Sequence, residues 1–559
     1  MKRSSGSKRT ATLGGIGESL VQSGLDRPAA KSVEDWLSQA RTRKTAAKAL
    51  RRALAPASVE VVPAGRPQRV IILPSRARLR STAADTSKFL AEMVAPSAVS
   101  ASVPPVRMKV LDSIHEDGAK LVEATPDELQ KLRAAQPGLL VVPERFYKTA
   151  VSRHGIESSV GAASGTHTAL RSVAIEITSR LGGKAMAGAT VVAFTNFATR
   201  TGAQGVTSSK GTVTLKLPAT VKKLDRVYVY TEGAYWGAYR KNLVLSSSTV
   251  KILIDAIDLG VDDDLRYFCG AGDLNDGTGV KVAVVDTGIA LHHPDLHVVG
   301  GECTVSGESK GDYGPLGGDH GSHCAGIIAG RGTAPQGMRG VAPGAALYSF
   351  RVFPTVKPGQ ESGASNFAIA KAIDRAAAAG CDLLNLSLGG GDPDPATEAA
   401  IEDARNAGAV VIAAAGNNDR SPVSFPAAFD LCVAVSALGR KGLSPAGSIC
   451  DGDVAGPYGK DKKDFIASFS NIGTEIDCTG PGVGVVSTVP PADYTVMSGT
   501  SMAAPAVTGL AARMLGRNQA LLTAARDSQR ANAIVKALLA SAQPLGFGAK
   551  YEGQGLPAR

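Results

Sequence analysis

The stretch "VAVVDTG" at residues 282–288 decides the fold class. Its four small apolar residues form a strand pattern that is typical of parallel sheets covered by helices on both faces. Asp286 follows at the end of the strand, where α/β proteins place the polar groups that bind ligands or react. An aspartate that simply closes a turn is the alternative interpretation. Taken alone, the stretch predicts a parallel sheet and leaves the role of Asp286 open.

The same alternation of strands and helices continues through the C-terminal half of the chain. From about residue 266, apolar strand patterns alternate with Ala-rich helix patterns. The strands are expected at 280–285, 346–353, 383–388 and 410–415, and the helices at 366–379 and 396–407. Continuous apolar strands separated by helices indicate a doubly wound parallel sheet. We therefore predict one α/β domain over residues 266–559.

The N-terminal half has a different organisation. Residues 1–68 form a basic segment that we expect to be partly disordered. Residues 69–147 alternate strand and helix patterns, with a capped helix start at 125–128, and predict a small α+β domain. Residues 148–166 have the composition of a linker. Residues 167–256 contain short β-rich runs, which predict a small β-sandwich.

The formal net charge of +11 comes from the residues before 266. A solvated basic segment is the favoured interpretation, and binding to nucleic acid is unlikely because no zinc-finger spacing or aromatic interleaving accompanies the charge. No apolar window is long enough to span a membrane. The basic N-terminus is not followed by the apolar stretch of a secretory signal. We therefore expect a cytoplasmic protein, with secretion by a non-classical route as the alternative.

Three further motifs carry candidate functional residues. "DHGSHCAG" at 319–326 contains two histidines, but His320 and His323 lack a third ligand, so no metal site is predicted. "AAAGN" at 413–417 ends a strand in Asn417, which is a functional amide or a turn residue. "SGTSMAAP" at 498–505 places Ser501 before an apolar run, where it fits a helix cap or a nucleophile.

Together, these motifs resemble those of the subtilisin family of serine endopeptidases. The matches are Asp286-Thr287-Gly288, His320–His323 and Gly499–Pro505, in the chain order Asp, His, Ser that subtilisin has. The resemblance covers roughly residues 266–550. It implies a subtilisin-like fold and hydrolysis of protein or peptide substrates through an acyl-enzyme intermediate, with no cofactor required.

The resemblance also implies a role for each matched residue. Ser501 would be the nucleophile, His320 its general base, and Asp286 the group that orients the imidazole. Asn417 would stabilise the oxyanion together with the backbone N–H of Ser501. The implied substrate-binding residues are Ser362, Gly363, Ala364, Ser387, Leu388, Gly389, Gly390 and Ser424. Because Gly390 and Ser424 are small and uncharged, we expect large apolar P1 residues to be accepted in preference to Lys or Arg.

Some features depart from the family pattern. Cys324 replaces a commoner valine, as in proteinase K-like members, and is expected to be a small buried residue behind His320. Asp295 matches a calcium ligand of the family, but residues 330–340 do not resemble the calcium loop, so calcium remains an open alternative. Residues 440–464 are expected to be an inserted surface loop.

Residues 69–147 resemble a subtilisin-type propeptide, a domain that inhibits the protease it precedes. The resemblance implies an inhibited precursor, in which this domain is an intramolecular inhibitor, and we expect cleavage within the linker 148–166. The predicted sandwich would then stay attached to the peptidase domain. The alternative is a permanently inhibited or degenerate protease that acts as a protein-binding module.

Overall fold

The computed structural model describes residues 66–74, 78–80, 84–92, 108–159, 169–357 and 363–559. The basic segment before residue 66 lies outside the described residues, and so does the end of the predicted linker, residues 160–166. No helix among the described residues is long and apolar enough to cross a bilayer.

The first described unit is a four-stranded antiparallel sheet with two helices, here called the N-terminal sheet. Its strands are β1 (Gln68–Leu73), β2 (Lys109–Ser113), β3 (Lys120–Ala124) and β4 (Leu140–Pro143), and its helices are α1 (Ala84–Glu92) and α2 (Pro126–Ala135). Helix α2 begins after Thr125, whose side chain accepts from the N–H of Glu128. The strand order is β2-β3-β1-β4.

The two faces of the N-terminal sheet have different neighbours, because side chains alternate along a strand. Val70 and Ile72 of β1 pack against the sheet's own helices. Ile71 and Leu73 point to the other face and join a core cluster of the C-terminal unit. The N-terminal sheet is therefore attached to the C-terminal unit by an apolar face of its own.

Two short strands follow, β5 (Phe146–Thr149) and β6 (Ser158–Ser159). The chain then forms two sheets that share one apolar core, here called the facing sheets. Their strand orders are β10-β7-β13 and β12-β11-β8-β9-β6. The strands are β7 (Leu170–Ser179), β8 (Thr190–Asn196), β9 (Thr201–Val206), β10 (Thr212–Pro218), β11 (Lys223–Tyr230), β12 (Ala238–Val244) and β13 (Thr249–Ile254).

The C-terminal unit has an α/β fold around a parallel sheet of order β15-β16-β14-β18-β20-β21, with β23 parallel and β22 antiparallel to β21. The strands are β14 (Lys281–Asp286), β15 (Val298–Cys303), β16 (Ala346–Arg351), β17 (Ala364–Ser365), β18 (Leu383–Leu386), β19 (Leu388–Gly389), β20 (Val410–Ala414), β21 (Cys432–Arg440), β22 (Asp464–Ile466), β23 (Cys478–Pro481), β24 (Val485–Val489) and β25 (Asp493–Met497). The helices are α3 (Asp264–Cys269), α4 (His320–Ala329), α5 (Asn366–Ala378), α6 (Pro395–Asn406), α7 (Thr500–Arg517), α8 (Gln519–Leu522), α9 (Ser528–Ala540) and α10 (Ala549–Glu552).

The predicted strands and helices of this unit are present, with ends that differ by a few residues. Parallel strands end at one edge of a sheet, and this edge collects the residues that follow β14 and β20. Helices α4 and α7 begin at the same edge, and α7 is buried from Thr500 to Arg513. The fold therefore brings four distant motifs of the sequence to one place.

Residues 440–464 are attached to the facing sheets. The N–H of Tyr239 donates to the carbonyl of Gly447 at 2.9 Å, and the N–H of Ile449 donates to the carbonyl of Gly237 at 2.9 Å. The Arg240 guanidinium donates to the same Gly447 carbonyl at 2.7 Å. The segment that was expected to be a surface loop therefore fixes the facing sheets to the C-terminal unit.

We predict that Asp382→Ala destabilises the C-terminal unit by about 3–5 kcal/mol. The Asp382 carboxylate accepts from Arg526 and from Arg530, both at 2.7 Å. The Arg530 side chain is only 1% exposed, so the substitution leaves its buried charge with fewer partners. Urea unfolding measures the change. Asp255→Ala, which removes the exposed pair with Arg180, is the control and should cost at most about 1 kcal/mol; equal effects of the two variants would contradict the prediction.

Candidate active site

Asp286 and His320 form a buried hydrogen-bonded pair at the edge of the parallel sheet. Asp286 is the last residue of β14, and His320 is the first residue of α4. The Nδ1 atom of His320 lies 2.7 Å from Oδ1 of Asp286. Asp286 also accepts from the N–H of Thr287 through Oδ1. The carboxylate thus fixes the plane of the imidazole.

The electrostatics of this pair favour a charged imidazole. Burial acts to lower the pKa of His320, but the Asp286 carboxylate raises that pKa well above its usual range. The Nε2 atom of His320 is buried and has no hydrogen-bond partner among the described residues. That atom is therefore available to exchange a proton with another group.

The second histidine of the motif, His323, contacts the backbone of two strands. The Nε2 atom of His323 lies 3.2 Å from the backbone carbonyls of Val485 and Thr495. Burial lowers the pKa of His323 to about 3, so the ring is neutral. Its hydrogen bonds join α4 to the strand pair β24–β25. The ring of His323 therefore helps to fix the position of α4 relative to these strands.

Cys324 lies behind the pair, as expected from the sequence. Its Sγ is 4.0 Å from Nδ1 of His320 and 3.5 Å from the carbonyl oxygen of Ser501. Asp286, His320 and Cys324 bring three ligand atoms within 4.8 Å of one another. Burial raises the pKa of the Cys324 thiol, and a protonated thiol is a poor metal ligand. The group therefore does not fit a metal centre.

Ser501 and Asn417 place two N–H donors around one oxygen atom. The backbone N–H of Ser501, in the first turn of α7, donates to the carbonyl of Ala150 at 3.2 Å. The side-chain Nδ2 of Asn417 donates to the same carbonyl oxygen. Oδ1 of Asn417 accepts from the N–H and the hydroxyl of Thr500, both at 2.9 Å, which fixes the orientation of the amide. Two convergent donors on one carbonyl form the geometry of an oxyanion hole.

The carbonyl that these donors hold belongs to a segment of the same chain. Strand β5 lies between β17 and β19 and pairs antiparallel with both. Tyr147 is the register partner of Ala364, and Lys148 is the register partner of Gly389. The N–H of Ala150 then donates to the carbonyl of Ser387 at 3.1 Å. An extended peptide that completes a sheet in this way is a common mode of peptide recognition.

The substrate-binding residues implied by the sequence can now be located. Gly363, Ala364, Ser387, Leu388 and Gly389 lie beside the segment that ends at Ala150, whereas Ser362 lies outside the described residues. The N–H of Gly390 donates to the carbonyl of Phe425 at 3.0 Å. Ser424 accepts through Oγ from Asn471 and lies next to Gly389.

The sequence did not predict that residues 146–152 occupy the site. Their composition, "FYKTAVS", is that of a short strand followed by a linker. Tyr147 is only 1% exposed and packs with Ala364 and Leu388 in the core. The aromatic pair Phe146-Tyr147 indicates a strand, but it does not indicate that this strand binds in the active site.

Asp295, which matches a calcium ligand of the family, has protein donors around its carboxylate. Oδ2 accepts from the N–H of Met338 at 2.9 Å and from the hydroxyl of Tyr494 at 2.7 Å. Calcium requires oxygen acceptors around the ion, whereas these neighbours are hydrogen-bond donors. A Cβ atom at Gly332 would lie 2.3 Å from Oδ2, so the backbone of Gly332 is in close contact with this carboxylate. The residues around Asp295 do not fit a calcium ion.

Comparisons with known proteins agree with this geometry. Residues 277–555 match the model of the Subtilase family. The chain is 39% identical over 245 residues to Subtilisin DY of Bacillus licheniformis, which is 43% of this chain and 78% of that protein. It is 35% identical over 263 residues to Thermitase of Thermoactinomyces vulgaris, which is 46% of this chain and 83% of that protein.

The chain belongs to the subtilase family. The expectation drawn from the sequence motifs is therefore confirmed, and the protein is a subtilisin-like serine peptidase whose substrates are peptides or proteins. Membership in the family implies an Asp–His–Ser triad. The family match begins at residue 277, so it does not describe the N-terminal sheet or the facing sheets of this subtilase.

We predict that the peptidase activity of this subtilase falls as pH decreases through the raised pKa of His320, because only the neutral imidazole accepts a proton. Asp286→Asn removes the charge that raises this pKa. The midpoint of the profile of kcat/KM against pH should therefore move to lower pH, while kcat falls by about 10⁴-fold, the value known for the equivalent change in a serine protease.

Peptide hydrolysis measured across the neutral and alkaline range checks this prediction. Asp262→Asn, at an exposed position, is the control and should leave the profile in place. An Asp286→Asn profile with an unchanged midpoint would contradict the assigned cause of the pKa shift.

Proposed function

We propose that the chain is a precursor of a serine endopeptidase and that it cleaves its own Ala150–Val151 bond. The single observation that carries this proposal is the carbonyl of Ala150, which accepts from both the Ser501 N–H and the Asn417 amide. Strand β5 holds the residues before this bond in an extended conformation. A second hydrogen bond, from the N–H of Ser152 to the carbonyl of Ser498 at 2.8 Å, holds the residues after it.

In the proposed reaction, His320 removes the hydroxyl proton of Ser501 as Oγ attacks the carbonyl carbon of Ala150. The carbonyl oxygen becomes an oxyanion that the two N–H donors stabilise. His320 then gives its proton to the nitrogen of Val151, the C–N bond breaks, and an ester of Ser501 with Ala150 remains. Water hydrolyses this ester by the same route. Asp286 stabilises the imidazolium in both steps.

One rearrangement precedes the attack. The Ser501 hydroxyl now donates to the carbonyl of Ser387 at 2.8 Å, and Nε2 of His320 has no partner among the described residues. The hydroxyl must therefore turn from Ser387 towards His320. Catalytic hydrogen bonds often form only when the reaction begins, so this arrangement is consistent with an uncleaved precursor.

The N-terminal sheet is proposed to inhibit the peptidase before and after cleavage. Its apolar face packs on the C-terminal unit, and Asp112 pairs with Lys371 of α5 at 2.8 Å. His115 pairs with Asp374 of the same helix at 2.7 Å. These contacts do not depend on the Ala150–Val151 bond. The cleaved N-terminal part would therefore stay in the substrate cleft until it is removed or degraded.

A second candidate function follows from the same contacts. In a permanently inhibited subtilase, the N-terminal sheet would block the substrate cleft at all times, and the protein would act as a protein-binding module. The intact hydrogen bond between Asp286 and His320 favours the peptidase over this alternative.

We predict that the wild-type chain accumulates a fragment whose N-terminal residue is Val151, whereas Ser501→Ala stays intact. Intact mass and N-terminal sequencing measure the two products, and a fluorophosphonate probe should label only the wild type. Ser528→Ala, at the start of α9, is the matched control and should be processed like the wild type. An unprocessed, unlabelled wild type would favour the binding module.

We also predict that the processed enzyme prefers apolar residues at P1, the position before the scissile bond. Ala150 occupies this position and is 8% exposed, and Gly390 and Ser424, which the family resemblance assigns to the P1 pocket, offer no charge to a basic side chain. A peptide library profiled by mass spectrometry measures the preference. A profile dominated by Lys or Arg at P1 would contradict the prediction.

A further inference from the structure

A groove of about 490 Å³ separates the facing sheets from the C-terminal unit, next to the Ala150–Val151 bond. One wall includes Tyr230 and Glu232 at the end of β11, and the other includes Asp319, Asp493 and Ser498. The residues that follow Ala150 run along this groove. We call it the interdomain groove.

The backbone of the segment after Ala150 passes from one wall to the other. The N–H of Ser152 donates to the Ser498 carbonyl at 2.8 Å, in the C-terminal unit. The N–H of His154 donates to the hydroxyl of Tyr230 at 2.7 Å, in the facing sheets. Strand β6 then adds in parallel to the edge of β9. The facing sheets therefore hold the residues that begin three to four positions after the scissile bond.

The side chain at the third position, Arg153, is exposed and lines the groove together with four acidic residues. Its guanidinium is 5.4 Å from the ring centre of Tyr230. Burial and Glu232 raise the pKa of the Asp319 carboxyl, while the charge of Arg153 lowers it. The groove-lining acids are Glu232, Asp319, Asp453 and Asp493, and the only bases that line the groove among the described residues are Arg153 and His154 of the segment itself.

The side chain at the fourth position, His154, packs against aromatic side chains. Its ring centre is 4.6 Å from that of Tyr228 and 5.1 Å from that of Phe197. Nη1 of Arg200 lies 3.0 Å from Nδ1 of His154. Burial, together with the charges of Arg200 and Arg226, lowers the pKa of His154 to about 4. These aromatic and cationic neighbours of His154 therefore accommodate a flat, uncharged ring.

We propose that the interdomain groove is a substrate-recognition site of the processed peptidase. The facing sheets bind the residues C-terminal to the scissile bond and favour a basic residue at the third position and an uncharged ring at the fourth. This inference rests on the proposed function. The segment 151–157 is the first occupant of the groove, and an incoming substrate displaces it, because after cleavage only non-covalent contacts hold its new N-terminal end in the groove.

The charge of the groove supports this choice of substrate. When the segment leaves, it takes Arg153 and His154 with it, and the wall keeps its carboxylates. Burial raises the pKa of Asp453 to about 8, so that group is largely neutral near pH 7. Glu232, Asp319 and Asp493 then attract a basic side chain and repel an acidic one. A contribution of about 1 kcal/mol corresponds to roughly a fivefold change in kcat/KM.

The test uses the processed enzyme after its cleaved N-terminal part has been removed, together with internally quenched peptides that have the sequence of residues 147–156. One peptide keeps the arginine of Arg153, one has glutamate in its place, and one ends after the serine of Ser152. We expect kcat/KM for the arginine peptide to exceed that for the glutamate peptide by about fivefold or more. Glu232→Lys should reduce this ratio, because it reverses one charge of the wall.

The matched control is Glu176→Lys, at a residue of β7 that pairs with Lys251 and does not line the groove. It should leave the ratio unchanged. Equal kcat/KM for all three peptides, or the same ratio in Glu232→Lys and the wild type, would overturn the inference while leaving the peptidase intact. Cleavage of none of the peptides, with no fluorophosphonate labelling, would instead overturn the proposed function.

Discussion

The position of one carbonyl oxygen determines how the three parts of this subtilase are arranged. The Ala150 oxygen accepts from the first turn of α7 and from the Asn417 side chain. Residues before it must then follow the edge strands of the C-terminal unit, and residues after it must cross to the facing sheets. The apolar face of the N-terminal sheet packs on the C-terminal unit, and the backbone contact at Gly447 joins the facing sheets to the same unit. Both contacts are compatible with the observed position of the Ala150 carbonyl.

These contacts lie on both sides of the proposed scissile bond, and neither set requires the bond to be intact. Before the bond, the β5 pairing is continued by the ion pair of Lys371 and Asp112, whose side chains are 8% and 19% exposed. Partly buried pairs of this kind are less screened by salt than surface pairs. Cleavage would therefore separate the chain covalently without separating its parts, and release of the N-terminal sheet is a distinct physical step.

The sequence predicted the parallel sheet and the candidate site residues because both leave a local signature. Buried strands appear as apolar runs, and Asp286, His320 and Ser501 stand in short motifs of fixed spacing. The occupant of the site was not predictable in this way. Ala150 is held through its backbone, and backbone hydrogen bonds place no demand on the residue type that a sequence would reveal. Gly447 likewise joins the facing sheets through its carbonyl, so its segment had the pattern of an ordinary loop.

Two features of the site oppose the proposed self-cleavage in the observed arrangement. The Ser501 hydroxyl donates to Ser387, and Asp286 holds the pKa of His320 well above its usual range, which favours an imidazolium that cannot accept a proton. Loss of that proton removes one obstacle and gives the hydroxyl a new acceptor at Nε2, which removes the other. Deprotonation of His320 and rotation of Ser501 are therefore coupled in the proposed reaction, because each favours the hydrogen bond that the attack on Ala150 would require.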